Sequence, residues 1–210
     1  MCSRYTLAKD EVKIVIGDLE IVFGLVARFN IAPSQKVPVL IEDSGGVRMS
    51  EMKWGWKHEW GKQLLINAQA ETVKIKPAFK PHLQQRCLIP ADGFYEWLPD
   101  KTPIRFTKPN GKVFCFAGLW RSVPKQELDA PIQETTFVIL TTTPNETVSP
   151  VHNRLPLIVK PEHYGWWLRS GELWESVLNF PDREALVRTR VNRAVNNPRN
   201  EGPEMIRSAD

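Results

Sequence analysis

The sequence of 210 residues predicts an α+β domain, mainly antiparallel sheets curled into a barrel-like core with short helices at its flanks. Three observations lead there. Thr135 to Thr142 is a continuous run rich in β-branched residues, as a central strand requires. Asp43-Ser44-Gly45-Gly46 and Asn110-Gly111 each separate two apolar stretches, a hairpin signature. Seventeen prolines favour short elements and many turns over long helices.

The elements follow in order. Ala8 to Leu25 carries grouped apolar residues and reads as one or two short helices broken near Gly17 and Gly24. Phe29 to Pro33 is extended or turning, because Pro33 disfavours helix at Ala32. Val37 to Ile41 and Val47 to Met52 form a hairpin. A tryptophan-rich loop, Trp54 to Gly61, precedes Leu65 to Glu71. If extended, that stretch puts Ile66, Ala68 and Ala70 on one face and Asn67, Gln69 and Glu71 on the other. Glu71 to Lys74 begins a short helix. Arg86 to Pro90 and Gly93 to Leu98 are strands, and Ile104 to Thr107 pairs with Lys112 to Leu119 around Asn110-Gly111. Pro144 to Val148 is a short helix and Leu155 to Val159 a strand. Pro161 to Leu168 and Gly171 to Leu178 are a helix pair, and Val187 to Val191 is a last strand before a polar tail.

The length suits one domain spanning residues 1–210, large enough to bury a core without staples. A net charge of +4 permits a polyanionic partner without requiring one. Three cysteines, Cys2, Cys87 and Cys115, with no C-x-x-C spacing, form neither a disulfide framework nor a zinc site, and the four histidines lack ligand spacing. No metal or cofactor is expected. No signal peptide or apolar run of 18 residues is present, so the expected location is a reducing cytoplasm, away from membranes. Eight tryptophans exceed what such a core needs, which leaves some to face a ligand such as an unstacked base.

Three residues could carry chemistry. Cys2 follows Met1 directly, and a small second residue allows Met1 to be removed. The mature chain would then begin with a 1,2-aminothiol. Its amine can form an imine with an aldehyde, and its sulfur can close a five-membered thiazolidine ring intramolecularly. The plain alternative is a cysteine in a frayed terminus. Glu96 lies in Gly93 to Leu98, a strand apolar on both faces. A carboxyl there is either desolvated and proton-holding or a surface group on an edge strand. His152 lies in a Pro-bracketed loop, Ser149 to Pro156, as an acid–base group or as a capping histidine, with Arg154 beside it offering a fork for phosphate. Cys87 and Cys115 sit in apolar strands as inert thiols. There is no G-x-G-x-x-G, P-loop, H-E-x-x-H or G-x-S-x-G.

Taken together, Met1-Cys2-Ser3-Arg4, Asn30-Ile31-Ala32-Pro33, Asn67-Ala68-Gln69-Ala70-Glu71, Pro90-Ala91-Asp92-Gly93-Phe94-Tyr95-Glu96-Trp97 and His152-Asn153-Arg154-Leu155-Pro156 resemble the five ordered motifs of the SRAP family, the SOS response-associated peptidases. The resemblance implies a SRAP-like fold and a sensor and shield of abasic sites in single-stranded DNA. It further implies a covalent crosslink through Cys2, with lyase and reversal activities. By the same resemblance, Cys2 is the nucleophile, Glu96 shuttles protons, His152 assists sugar ring opening and crosslink reversal, and Asn67 orients the α-amine or sugar. Arg4, Asn30, Pro33, Gln69, Thr141 and Arg154 would line the DNA groove, and Trp60 would stack on a neighbouring base. Ser3 stands where the family has glycine, Gln69 where it has arginine, and Asn153 and Leu155 where it has Asp and Met. The Gln69 difference implies weaker affinity for phosphate. The runner-up is a cysteine peptidase or autoprotease in which Cys2 acts with His152. A third reading is a non-catalytic reader of DNA.

Overall fold

The computed structural model describes residues 2–57, 64–109, 111–126, 131–169 and 185–209. In chain order the strands begin with β1 (Tyr5–Leu7), β2 (Glu11–Ile16), β3 (Leu19–Gly24), β4 (Arg28–Ile31), β5 (Lys36–Asp43), β6 (Gly46–Trp54), β7 (Trp56–Lys57), β8 (Leu64–Leu65) and β9 (Asn67–Gln69). They continue with β10 (Arg86–Ala91), β11 (Gly93–Trp97), β12 (Pro103–Thr107), β13 (Phe114–Gln126), β14 (Pro131–Thr142), β15 (Leu155–Pro156) and β16 (Ile158–Val159). The helix α1 (Tyr164–Leu168) and strand β17 (Val187–Arg190) follow. Among the described residues α1 is the only α-helix, and short 3-10 turns cover Lys80–His82, Pro161–His163, Arg193–Asn196 and Pro203–Ile206.

Two sheets carry the fold. In one, the ladder β14–β6–β5–β10–β13 returns to β14, because β13 pairs with β14 as well as with β10. The ring is antiparallel except at β14–β6, where Thr136 and Phe137 run parallel to Lys53 and Trp54. Closing a sheet on itself removes its exposed edges and accounts for the barrel-like core. Strand β9 adds to it in parallel, with Ile139 opposite Asn67 and Thr141 opposite Gln69. The second sheet is five-stranded, in the order β17-β12-β11-β1-β4. Tyr5 joins the two, its ring 5.3 Å from that of Trp54 and 5.9 Å from that of Phe116, both edge-on and fully buried.

Several elements differ from the sequence reading. The segment from Ala8 to Leu25 is a hairpin, not helices. Val12, Ile14 and Ile16 are buried and Glu11, Lys13 and Val15 exposed, a period of two, and Gly17 turns the chain at φ +60°. The stretches 71–74 and 144–148 are hydrogen-bonded turns rather than helices. Ile104 to Thr107 and the strand after Gly111 do not form a hairpin. β12 pairs with β11 and β17, while β13 belongs to the barrel. The two stretches belong to different sheets whose apolar faces share one core, with Phe94 against both Phe106 and Phe116, so they meet face to face and not as edge-paired strands. Leu155 to Val159 is two short strands flanking Leu157, which bonds to Leu140 and Ala117. The second helix of the pair, 171–178, lies outside the described residues. The hairpin at 43–46, the central strand and the helix ending at Leu168 are present, and of the stretch 65–71 the alternation is extended through Gln69, with Ala70 and Glu71 entering the following turn.

Candidate functional site

Strand β1 brings the N-terminal residues to the seam between the sheets. Tyr5 pairs with Phe94 and Thr6 with Gly93, and the Tyr95 amide donates to the Arg4 carbonyl. Continuing this register puts Cys2 and Ser3 beside Glu96. The pairing is locked by a buried polar cluster. Thr6 Oγ1 donates to Asp92 Oδ1, the Ala8 amide donates to Asp92 Oδ2 at 3.1 Å, and the Arg105 guanidinium donates to Thr6 at 2.9 Å and to Asp92 at 3.2 Å. Gly93 leaves room for this guanidinium, since a Cβ would lie 2.8 Å from Arg105 Nε and displace it.

Across the seam, β9 presents Asn67, whose side-chain amide donates to the Cys2 carbonyl at 2.7 Å. Its Oδ1 is buried and has no protein partner among the described residues. The turn before β15 delivers His152, whose Nε2 lies 3.8 Å from Glu96 Oε2. The Arg154 amide donates to His152 Nδ1 at 3.0 Å, so Nδ1 is the acceptor and the neutral ring carries its proton on Nε2, toward Glu96. The structure thus gathers Cys2, Asn67, Glu96 and His152 from four separate stretches.

Burial sets the electrostatics. Glu96 is 2% exposed, and desolvation lifts its carboxyl to about 7. Desolvation also holds the His152 imidazole below its usual value, which leaves it neutral at pH 7. The Cys2 thiol is pushed far up, first by burial and then by the charge of Glu96, and it donates to the Arg4 carbonyl at 3.7 Å. The site therefore holds protons at neutral pH and carries no preformed thiolate.

The residues expected along a groove separate into two kinds. Gln69 is exposed and Pro33 half-buried. Asn30 and Thr141 are wholly buried. Asn30 Nδ2 donates to the carbonyls of Asn200 at 2.8 Å and Asn197 at 3.0 Å, and more weakly to that of Val195, while its Oδ1 accepts from Arg4 at 2.8 Å. In this structure Asn30 faces inward and fastens the C-terminal segment. Arg4 also donates to the Val195 carbonyl at 2.9 Å and lies over the Trp97 ring, 5.7 Å from its centre. Arg154 donates to Glu71 Oε2 at 2.7 Å and to the Thr141 carbonyl at 2.6 Å. Trp60 lies outside the described residues. Among the described residues no group of three or more His, Cys, Asp and Glu is placed to hold a metal, and no helix is long and apolar enough to cross a membrane.

Residues 1–198 match the family described as SOS response associated peptidase (SRAP). The chain belongs to the SRAP family. It is 35% identical to the abasic site processing protein YoqW of Bacillus subtilis, over 99% of this chain and 100% of that protein. It is 27% identical to the abasic site processing protein YedK of Escherichia coli, over 98% and 99%, and 26% identical to HMCES of Gallus gallus, over 85% and 65%. A phage-related protein of Bordetella bronchiseptica shares the fold at a TM-score of 0.71, with 23% identity over 91% of this chain and 94% of that one. Within this SRAP chain the sequence reading missed the clamp of Thr6, Asp92 and Arg105, whose members are far apart in sequence and unremarkable singly. It also assigned no partner to Glu71. The acidic residue at the end of a polar ladder, with a basic fork expected nearby, was a usable signal for that pair.

Proposed function

We propose that the protein processes abasic sites in single-stranded DNA by forming a covalent crosslink through Cys2. The gathering of Cys2, Asn67, Glu96 and His152 at one buried seam carries this reading, and the names of the relatives above support its abasic-site part. With Met1 removed, the Cys2 amine attacks the C1′ aldehyde of an open-chain abasic deoxyribose. Water leaves as the imine forms. The thiol then adds to the imine carbon, its proton passes to the imine nitrogen, and the thiazolidine closes with no redox change. Glu96, near half-protonation at pH 7, gives and takes the protons of these steps. Asn67 holds the Cys2 backbone and offers its unoccupied Oδ1 to the amine. His152 serves sugar ring opening and the return path. Release of the 3′ phosphate from the imine, before ring closure, is the lyase branch. Arg154, held by Glu71 and Thr141, and Arg4 lie beside the seam as phosphate contacts, and Trp60 is assigned a base.

The peptidase reading is less well supported. A cysteine peptidase needs a thiolate and a histidine to form it. Burial holds the Cys2 thiol protonated, and His152 faces Glu96.

The test is an abasic oligonucleotide incubated with the protein and run under denaturing conditions. The wild type gives a heat-stable adduct and Cys2→Ala does not, while intact mass shows loss of Met1. An adduct of equal yield in Cys2→Ala, or Met1 retained in every molecule, rules the mechanism out.

A further inference from the structure

We propose that Asp92 is a positioning residue for Cys2: with Thr6 and Arg105 it fixes where strand β1 sits along β11, and so where Cys2 meets Glu96. The proposal rests on the reading of Cys2 as the nucleophile of this chain.

The backbone ladder alone holds β1 weakly. The strand has three residues, and only Tyr5 and Thr6 pair with β11. On its other side the register against β4 shifts between Tyr5 and Leu7. Tyr5 seats one face of the strand in the core, against Trp54 and Phe116. That keeps the strand from turning over. An edge-on aromatic contact tolerates a small slide along the strand axis more readily than a hydrogen bond does.

Asp92 supplies the constraint along that axis. Its carboxylate straddles Leu7. One oxygen accepts from the Thr6 hydroxyl and the other from the Ala8 amide at 3.1 Å, points two residues apart on one chain. The Asp92 amide donates to the Thr6 carbonyl at 2.9 Å, so the backbone and side chain of one residue grip the same place. A slip by one residue would present Tyr5 or Leu7 to the carboxylate in place of Thr6, with no short hydroxyl to donate. Asp92 is 4% exposed and Thr6 wholly buried, so a broken bond here leaves a desolvated polar group. Arg105 lies 3.2 Å from the carboxylate and donates to Thr6 as well, which balances the buried charge. Such a network adds little net stability over an apolar core; what it adds here is a single allowed register.

From Thr6 the chain runs directly to the site. The Tyr95 amide holds the Arg4 carbonyl at 3.0 Å, and Asn67 holds the Cys2 carbonyl at 2.7 Å. A slip of one residue would carry Cys2 about 3.4 Å along the strand. A misplacement of about 1 Å is enough to cost about a hundredfold in rate.

The experiment measures the single-turnover rate of adduct formation at saturating abasic oligonucleotide, beside the affinity for an undamaged one. Thr6→Val keeps the shape and removes the hydroxyl. Asp92→Asn keeps the shape and leaves one of the two contacts without an acceptor. Both are expected to lower the saturated rate by about 10–100-fold. Affinity is expected to stay near that of the wild type, since Arg4 keeps its anchors on Asn30 and Val195. Thr6→Ser restores a hydroxyl and is expected to recover most of the rate. Val39→Ala opens a cavity in β5 of the other sheet and is expected to lose stability yet crosslink as the wild type does. A wild-type saturated rate in Thr6→Val overturns the proposal. So does an equal fall in Val39→Ala, which would tie the loss to stability, or a rate that stays low in Thr6→Ser. Exchange of the Tyr95 amide reads the pairing without DNA. It is expected to quicken in Thr6→Val, and unchanged exchange also overturns the proposal. Wild-type protein that forms no adduct removes the parent reading, and the Tyr95 amide then decides the register by itself.

Discussion

Glu96 shows how a buried carboxyl works against stability at a single residue. Burial lifts its carboxyl to about 7, against 4.5 for an unperturbed glutamate. The folded state therefore prefers the protonated form. Its contribution to stability is most favourable below pH 4.5, is lost as pH rises through 7, and is constant above. The full loss is about 3 kcal/mol, at about 1.4 kcal/mol for each tenfold change in proton affinity. Glu96→Gln keeps the shape and removes the titration. Its denaturation midpoint is expected to exceed that of the wild type at pH 8 and to converge with it at pH 5, while crosslinking slows. Equal midpoints at pH 8 would mean that Glu96 is ionised without penalty. His152 should fail in another way. His152→Ala is expected to form the adduct but to exchange it more slowly, because opening the ring needs a proton for the sulfur and a base at the sugar hydroxyl. A preformed adduct chased with excess abasic DNA measures this, and exchange as fast as wild type would remove His152 from the return path.

At the scale of elements, the barrel depends on close approach of its strands. Gly118 of β13 sits between Cys87 of β10 and Ile139 of β14. A Cβ there would lie 2.4 Å from Ile89 Cδ1, 2.8 Å from the Val138 carbonyl oxygen and 2.9 Å from Cys87 Sγ. One of those neighbours is backbone and cannot move aside cheaply. Gly118→Ala is expected to destabilise by about 1–3 kcal/mol, the usual cost of overpacking. Urea denaturation checks this, and a loss under about 0.5 kcal/mol would show that the ring of strands is looser than its geometry implies. The hairpin of β2 and β3 makes the complementary point. Its alternation of buried and exposed residues is visible in Val12, Ile14 and Ile16, yet a short window full of valine and isoleucine also satisfies a helical spacing. Packing of one face against the core decides between the two.

Across the whole molecule the two ends of the chain are tied together. Asn30 donates to carbonyls at 195, 197 and 200 and accepts from Arg4, and Glu201 accepts from the amides of Phe29 and Asn30. Tyr95, Val191, Val195 and Met205 form a small separate core on the face of β11 opposite Glu96. The C-terminal segment thus supports the strand that positions Cys2. Asn30→Ala would strip this junction of its donor, leaving the Asn200 carbonyl without its side-chain partner and the Val195 and Asn197 carbonyls with only Arg4 and the Asn200 amide. The expected cost is about 1–2 kcal/mol, with faster amide exchange over 193–206. Exchange unchanged over that segment would show that the apolar contacts hold it alone.

The sequence by itself determined the residue types of the site and the strands with clear alternation. Cys2 behind Met1, a carboxylate in the apolar stretch Gly93 to Leu98, a histidine in a Pro-bracketed loop and the hairpin at 43–46 are all local patterns. Only the tertiary structure decided which strands are neighbours. Backbone hydrogen bonds are alike for any pair of strands, so nothing in Ile104 to Thr107 announces that it joins β11 and β17 and not the strand just beyond Gly111. Closure of the β14–β6–β5–β10–β13 ring and the 3.8 Å approach of His152 to Glu96 likewise come from packing apolar faces against one another. So does the proton-holding state of Glu96, because desolvation depends on what surrounds a carboxyl and not on its neighbours in the chain.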